Sequence, residues 1–325
     1  MTKSNPTPAI ALHGGAGTIA RRSLSPAQET AYHAALAAAV RAGQRVLEQG
    51  GRALDAVTEA VVALEDCPLF NAGHGAVFTR DGTHELDSAI MDGSTLTTGA
   101  VACVRRIRNP ILAARAVMER SEYVFLAGES ADGFAAEQGL ALVDNAYFAT
   151  DARRAQWQLV RSGGGMALDH DAASRLAAET AAPLDAGRKF GTVGAVALDR
   201  DGHLASATST GGMTNKRAGR VGDTPLIGAG CYANDRTVAI AATGAGEVFI
   251  RTVAAYDISA RMEYAGASLA EASRHVVMEK LPPLGGRGGI VAVDRAGNVA
   301  LPFNTEGMYR GWARGSEAPS TGIYT

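Results

Sequence analysis

Apolar positions recur along this chain in two periods. "AIALHGG" (9–15) is a short apolar run ending in glycines, which predicts a buried strand entering a turn. "SPAQ" (25–28) then supplies a helix start, with Ser25 as N-cap, Pro26 at the first helical position and Gln28 in the capping-box place. The alanine-rich run behind it predicts helix to about Gln49, stopped by Gly50 and Gly51. "RALDAVTEAVVALED" predicts a second helix, because Leu54, Val57, Val61 and Leu64 fall at helical spacing.

Period-2 alternation on both sides of a turn marks "AVFTRDGTHELDSAI", "VGAVALDRDGHLASAT" and "IVAVDRAGNVALPF". Each predicts a β-hairpin, and hairpins build antiparallel sheet rather than the βαβ crossovers of a doubly wound fold. Helical patterns recur at about 110–120, 151–161, 246–264 and 268–280. Helices flanking central strands predict a layered α/β sandwich. From Ser162 to Lys189 the chain is rich in Gly, Ala, Asp and Ser with little to bury, which reads as a mobile linker.

Composition narrows the function classes. At 325 residues the chain is long enough for two domains or for one large sandwich. It is 46% hydrophobic and 20% charged with a formal net charge of −2, an ordinary globular balance that offers nothing to nucleic acid or to an acidic surface. Glycine is abundant at 39 residues and aromatics make up only 6%, which points to a site built from backbone rather than an aromatic groove. Cys67, Cys103 and Cys231 are odd in number and form no C-x-x-C pair, so neither a disulfide framework nor a zinc site is expected. No run of signal-peptide or membrane-span length is present, and the expected location is cytoplasmic.

Familiar motifs fail on inspection. "GAGTIA" (15–20) imitates a dinucleotide fingerprint, but the helix start lies downstream at Ser25 and Pro26, whereas a true fingerprint opens its helix inside the glycine turn. "GAGEVF" (244–249) does open a helix, though a lone glycine pattern is weak. There is no P-loop, H-E-x-x-H or G-x-S-x-G, and the seven histidines lack metal-ligand spacing and read as structural.

The threonines stand out. Thr192, Thr208, Thr210, Thr214 and Thr243 sit at strand ends or glycine turns. Any one of them is explained by the β propensity of threonine. Together they raise another reading: a strand-end threonine preceded by glycine becomes a nucleophile if the bond before it is cut, since the freed α-amine then shares the residue with the hydroxyl. An α-amine has a reference pKa of about 7.7–8.0 and needs little desolvation to act as a base near neutrality. A flexible tether before Gly191-Thr192 would let the upstream end swing away.

The runs "GTVGAVALD", "SATSTGGMTNKRAGRVGDTPLIGAGCYAND" and "TGAGEVFIR" resemble the plant-type asparaginase and isoaspartyl peptidase family of N-terminal-nucleophile hydrolases. "HGGAG", "LEDCPLFNAGHGAVF", "ELDSAIMDG" and "LPFNTEGMYRG" extend the likeness over nearly the whole chain, the linker excepted. The resemblance implies an αββα sandwich with two mainly antiparallel sheets between helix layers. It implies a precursor that cleaves itself at Gly191-Thr192 into an α subunit (1–191, with the 162–190 linker at its end) and a β subunit (192–325), assembling as (αβ)₂. The implied nucleophile is Thr192, with Thr210 tuning its hydroxyl, Asn71 facing it, and Thr243 and Gly244 N–H forming the oxyanion hole. Arg220 and Asp223 are implied to hold a substrate's α-carboxylate and α-amine, with Gly246 beside the amine. A structural sodium is implied on the backbone carbonyls of Leu64, Glu65, Cys67, Phe70, Ala72 and His74; no cofactor is implied for catalysis. The implied substrates are L-asparagine and β-aspartyl dipeptides, against the alternatives of sugar-linked asparagine or a non-cleaving metabolite-binding protein. Ala245 departs from members that carry threonine or serine there.

Overall fold

A computed structural model of the chain describes residues 6–19, 21, 24–162 and 189–325. Strand β1 (Ala9–Gly17) leads into helix α1 (Pro26–Glu48). The predicted capping box closes there: Ser25 N–H donates to Gln28 Oε1 at 2.8 Å, and Gln28 N–H donates to Ser25 Oγ at 3.3 Å. Helix α1 ends at the expected place, where Gly50 takes a left-handed φ of +78°.

Helix α2 (Ala53–Glu65) follows, and its N-terminus has no side-chain cap of its own. The carboxylate of Asp199, 146 residues away, accepts from Ala53 N–H at 2.9 Å instead. The other Asp199 oxygen accepts from Asp201 and His203 N–H in the turn between β6 (Val193–Leu198) and β7 (Leu204–Thr210). One side chain therefore shapes a hairpin turn and pins α2 to it.

The larger sheet has nine strands among the described residues. It also includes β2 (Leu86–Asp92), β3 (Thr98–Val104), β4 (Phe125–Ala127), β5 (Lys189–Phe190), β12 (Gly307–Arg314) and β13 (Ser320–Tyr324). Its order is β13-β12-β1-β6-β7-β2-β3-β4, with β5 paired to the end of β1. All pairs are antiparallel except β3 with β4. The smaller sheet runs β11 (Val299–Ala300), β10 (Gly288–Asp294), β9 (Val238–Gly244), β8 (Cys231–Ala233), all antiparallel.

Alternation along the strands sorts the core into three layers. Ile10 and Leu12 of β1 face α1, α2, α3 (Pro110–Arg120) and α4 (Gly128–Glu137). Ala9 and Ala11, together with Val196, Leu198, Ala239, Ala241, Val291 and Val293, fill the space between the sheets. Val238, Ile240, Ile290 and Ala292 face α6 (Gly246–Thr252), α7 (Ala254–Ala265) and α8 (Leu269–Arg274) on the far side. This is the αββα sandwich with mainly antiparallel sheets. Alanine and glycine dominate the middle layer, so the sheets approach closely: a Cβ on Gly194 would lie 2.7 Å from that of Ala241.

Two expectations need correction, and a third lies outside the described residues. The first predicted hairpin (76–90) has no first strand: Thr79 and Thr83 close the turn, but Asn71 Oδ1 and Asn215 N–H take up the backbone groups of Val77 and Phe78 that a strand partner would need. Strand β2 pairs with β3 and β7 instead. The helix expected over 246–264 breaks at Val253, at φ 48°. The linker lies outside the described residues except at its ends, where Ser162 completes α5 (Asp151–Ser162) and Lys189 and Phe190 pair with Gly17 and Ala16.

Candidate active site

The fold delivers Thr192 to the end of a buried strand. It immediately precedes β6, beside β1 on one edge and β7 on the other, and its side chain is nearly buried at 8% exposure. Its hydroxyl donates to Thr210 Oγ1 at 3.2 Å, and Thr210 Oγ1 also accepts from Gly212 N–H at 3.0 Å. A third hydroxyl, Thr224 Oγ1, lies 3.3 Å from Thr192 Oγ1. The Thr192 carbonyl is 3.0 Å from Nδ1 of His13, whose register partner on β6 is Gly194. Burial pushes His13 down to about 3, against the weaker upward pull of that carbonyl. The ring is therefore neutral, and since a carbonyl only accepts, its proton sits on Nδ1.

In front of Thr192 opens a small cleft lined by Gly191, Thr210, Gly212, Met213, Arg220, Gly222, Asp223, Thr224 and Gly244. Arg220 and Asp223 are thus brought to the threonine pair. They are not paired to each other: Arg220 Nε and Nη2 both donate to Glu247 Oε1, at 3.0 and 2.8 Å. Asp223 is buried, and its Oδ2 has no partner among the described residues. Desolvation pushes its carboxyl up to about 7, with its own backbone N–H and Arg220 opposing and Glu247 and Asp87 reinforcing. Gly246 closes this corner, where a Cβ would stand 2.8 Å from Asp223 Oδ1 and 3.2 Å from Arg220 Nη2.

Thr243 lies at the end of β9 just behind Gly244, fully buried, and its hydroxyl has no partner among the described residues. An orphaned buried hydroxyl costs about 1–3 kcal/mol. Asn304 braces this corner, accepting from Gly288 N–H and donating to the carbonyls of Val277 and Gly286. Thr208 and Thr214 do not line the cleft; Thr208 Oγ1 donates to the Thr224 carbonyl at 2.9 Å.

Asn71 stands on the loop after α2. Its amide donates to Gly212 O at 2.7 Å, its Oδ1 accepts from Val77 N–H, and its carbonyl accepts from Gly211 N–H. It presses against the bond in question: a Cβ on Gly191 would fall 2.6 Å from Asn71 Nδ2. The end of α2 and the same loop carry the carbonyls of Leu64, Glu65, Cys67, Phe70, Ala72 and His74. Those of Glu65 and Cys67 accept backbone N–H groups of His74 and Phe70, and that of Leu64 accepts from Cys67 and Asp66. The Glu65 side chain works elsewhere, accepting from Ser209 Oγ at 2.6 Å and Ile111 N–H at 3.1 Å. Among the described residues no three His, Cys, Asp or Glu side chains converge as a metal site. Carbonyl oxygens at the negative end of α2 suit a hard monovalent cation rather than a transition metal.

Reading the sequence alone missed His13, Thr224 and Glu247. His13 belongs to "HGGAG", and the structure accounts for that motif: the histidine holds the Thr192 carbonyl, and Gly14 leaves room for Phe70, whose ring atom Cε1 would lie 2.3 Å from a Cβ there. Thr224 follows Asp223 directly, and Glu247 follows Gly246. Nothing in spacing separates them from ordinary loop residues.

The chain matches the family described as asparaginase over residues 6–323. It is 61% identical over 315 residues to an isoaspartyl peptidase of Salmonella typhimurium, covering 97% of this chain and 98% of that one. It is 60% identical over 315 residues to an isoaspartyl peptidase of Escherichia coli, covering 97% and 95%. A probable isoaspartyl peptidase/L-asparaginase 2 of Arabidopsis thaliana is 40% identical over 314 residues, covering 94% and 95%. With a threonine hydroxyl cluster at the head of a buried strand in an αββα sandwich, and these likenesses spanning almost the entire chain, this protein belongs to the asparaginase family of N-terminal-nucleophile hydrolases.

Proposed function

We propose that this chain cleaves itself between Gly191 and Thr192 and then hydrolyses the side-chain amide of β-aspartyl dipeptides and L-asparagine. The observation that carries the reading is the Thr192 hydroxyl, bonded to Thr210 and opening on a cleft whose wall holds the Arg220 guanidinium and the Asp223 carboxyl, one oxygen of which has no partner among the described residues. The names of the relatives support the substrate class.

In maturation Thr192 Oγ1 attacks the Gly191 carbonyl, its proton passes to the Thr192 nitrogen as the C–N bond breaks, and water hydrolyses the resulting ester to leave the Gly191 carboxylate and a free Thr192 α-amine. In turnover that amine takes the Oγ1 proton as Oγ1 attacks the substrate's side-chain amide carbon. The oxyanion lies toward Thr243 Oγ1 and Gly244 N–H. The C–N bond then breaks, and the departing amine takes the proton. Water, deprotonated by the α-amine, releases aspartate from the acyl-enzyme. The Arg220 guanidinium meets the α-carboxylate, and Asp223 meets the α-ammonium through the oxygen that has no partner. Neither group contacts what lies beyond the scissile amide, which accounts for both leaving groups.

The carbonyls after α2 are read as a sodium site that stiffens the loop bearing Asn71. The assembly is read as (αβ)₂, with 1–191 as α and 192–325 as β subunit. Mass spectrometry of the purified protein tests the central claim: chains of 191 and 134 residues are expected, the second beginning at Thr192. Thr192→Ala is expected to stay intact and inactive. Hydrolysis surviving in that variant would remove the proposed nucleophile.

A further inference from the structure

We infer that Thr224 is a catalytic residue, donating a hydrogen bond to Thr192 Oγ1 whenever that oxygen becomes negative; this rests on Thr192 being the nucleophile. Thr192 Oγ1 carries one hydrogen, and it points to Thr210 Oγ1 at 3.2 Å. The contact with Thr224 Oγ1 at 3.3 Å can then be made only with Thr224 as donor. At that length it is weaker than a well-formed O–H···O bond, which spans about 2.5–3.0 Å, and such bonds tighten as charge develops.

The reaction makes this oxygen negative twice. It loses its proton to the α-amine as it attacks, and it is expelled as an alkoxide when water breaks down the acyl-enzyme. On each occasion Thr224 O–H is aimed at it and keeps its own proton.

The placement is built into the fold. Thr208 and Thr210 are two residues apart on β7 and so share a face. Thr210 contacts the nucleophile directly, and Thr208 Oγ1 holds the Thr224 carbonyl at 2.9 Å. One strand therefore fixes both hydroxyls around Thr192. Thr224 is 1% exposed, which keeps water from substituting for its hydroxyl. It also follows Asp223, so the residue read as gripping the substrate ammonium and the one supporting the nucleophile occupy a single turn.

Thr224→Val, Thr224→Ala and Thr224→Ser separate hydroxyl from shape. Hydrogen bonds to charged groups are worth about 1.5–3 kcal/mol, which corresponds to roughly tenfold to a hundredfold in rate. Thr224→Val is expected to lower kcat on a β-aspartyl dipeptide by that factor, with KM within about threefold, and to slow self-cleavage in parallel, since the same oxygen attacks. Serine should restore most of both rates. Should valine disturb so buried a site, alanine is expected to give the same loss in a chain whose thermal unfolding confirms its fold. Wild-type rates in the valine or alanine variant, or equal losses for valine and serine, would overturn the inference while leaving Thr192 in place. A wild-type protein that neither cleaves nor hydrolyses would overturn the parent reading and this one together.

Discussion

Nδ1 of His13 lies 3.0 Å from the carbonyl oxygen of Thr192, joining residues 179 positions apart on neighbouring strands. The bond ties the first strand of the chain to the residue proposed to become a new N-terminus, where a strand end would otherwise fray. Burial holds the ring at about 3, against a reference value of 6.5. Between those values the unfolded chain binds a proton that the folded chain refuses. This contribution to stability is full above about pH 6.5 and is lost as pH falls toward 3. From pH 7 to pH 5 the loss is about 2 kcal/mol. His13→Asn, which keeps an N–H donor but cannot titrate, is expected to show a correspondingly smaller drop in urea-unfolding free energy between those two pH values. An unchanged drop would refute a buried neutral ring.

Thr243, read as an oxyanion donor, is expected to trade stability for activity. Its buried hydroxyl has no partner among the described residues, so Thr243→Val removes an unsatisfied group at nearly constant volume. The melting temperature is expected to stay level or rise. Activity is expected to move the other way, with kcat falling roughly a hundredfold to a thousandfold, as for loss of one oxyanion donor. A variant both less stable and fully active would contradict the assignment.

Asp223, read as the partner of the substrate ammonium, is expected to tie activity to pH. Its carboxyl, raised to about 7 by desolvation in the free protein, must be ionised to meet an ammonium. kcat/KM is therefore expected to rise as pH increases through about 7, together with deprotonation of the Thr192 α-amine. In Asp223→Asn the Asp223 component is expected to vanish, leaving the amine alone to shape the ascending limb at a far lower kcat/KM. Steady-state profiles from pH 5 to pH 9 would show whether the limb changes shape.

Gly246 is required by space. Alanine there would put a methyl 2.8 Å from Asp223 Oδ1 and 3.2 Å from Arg220 Nη2, inside the corner read as the ammonium pocket. Its φ lies outside the left-handed range and it opens a helix, so backbone conformation does not forbid alanine; the methyl, 3.1 Å from Asp223 N, would have to push the Asp223 carboxyl aside. Gly246→Ala is expected to keep its melting temperature within a few degrees and to lose at least about tenfold in kcat/KM, mostly through KM. Kinetics together with a thermal melt distinguish this from a folding defect.

Local rules carried far along this chain. The capping box at Ser25 and Gln28, the glycine stop at Gly50 and two of three hairpins depend on interactions within a few residues, and they appear where periodicity and turn chemistry placed them. Ordered motifs likewise marked Thr192, Thr210, Arg220 and Asp223, and the fold brings all four to one cleft. Contacts across long separations were not legible in the same way. Asp199 capping α2, His13 holding Thr192, Thr224 meeting the nucleophile and Glu247 gripping Arg220 each depend on which strands lie side by side and how closely two alanine-lined sheets approach. Hydrophobic period reports only which face of an element is buried. Which hydroxyl or ring meets which oxygen is settled when the layers close, because a hydrogen bond demands distances and angles that sequence spacing does not encode.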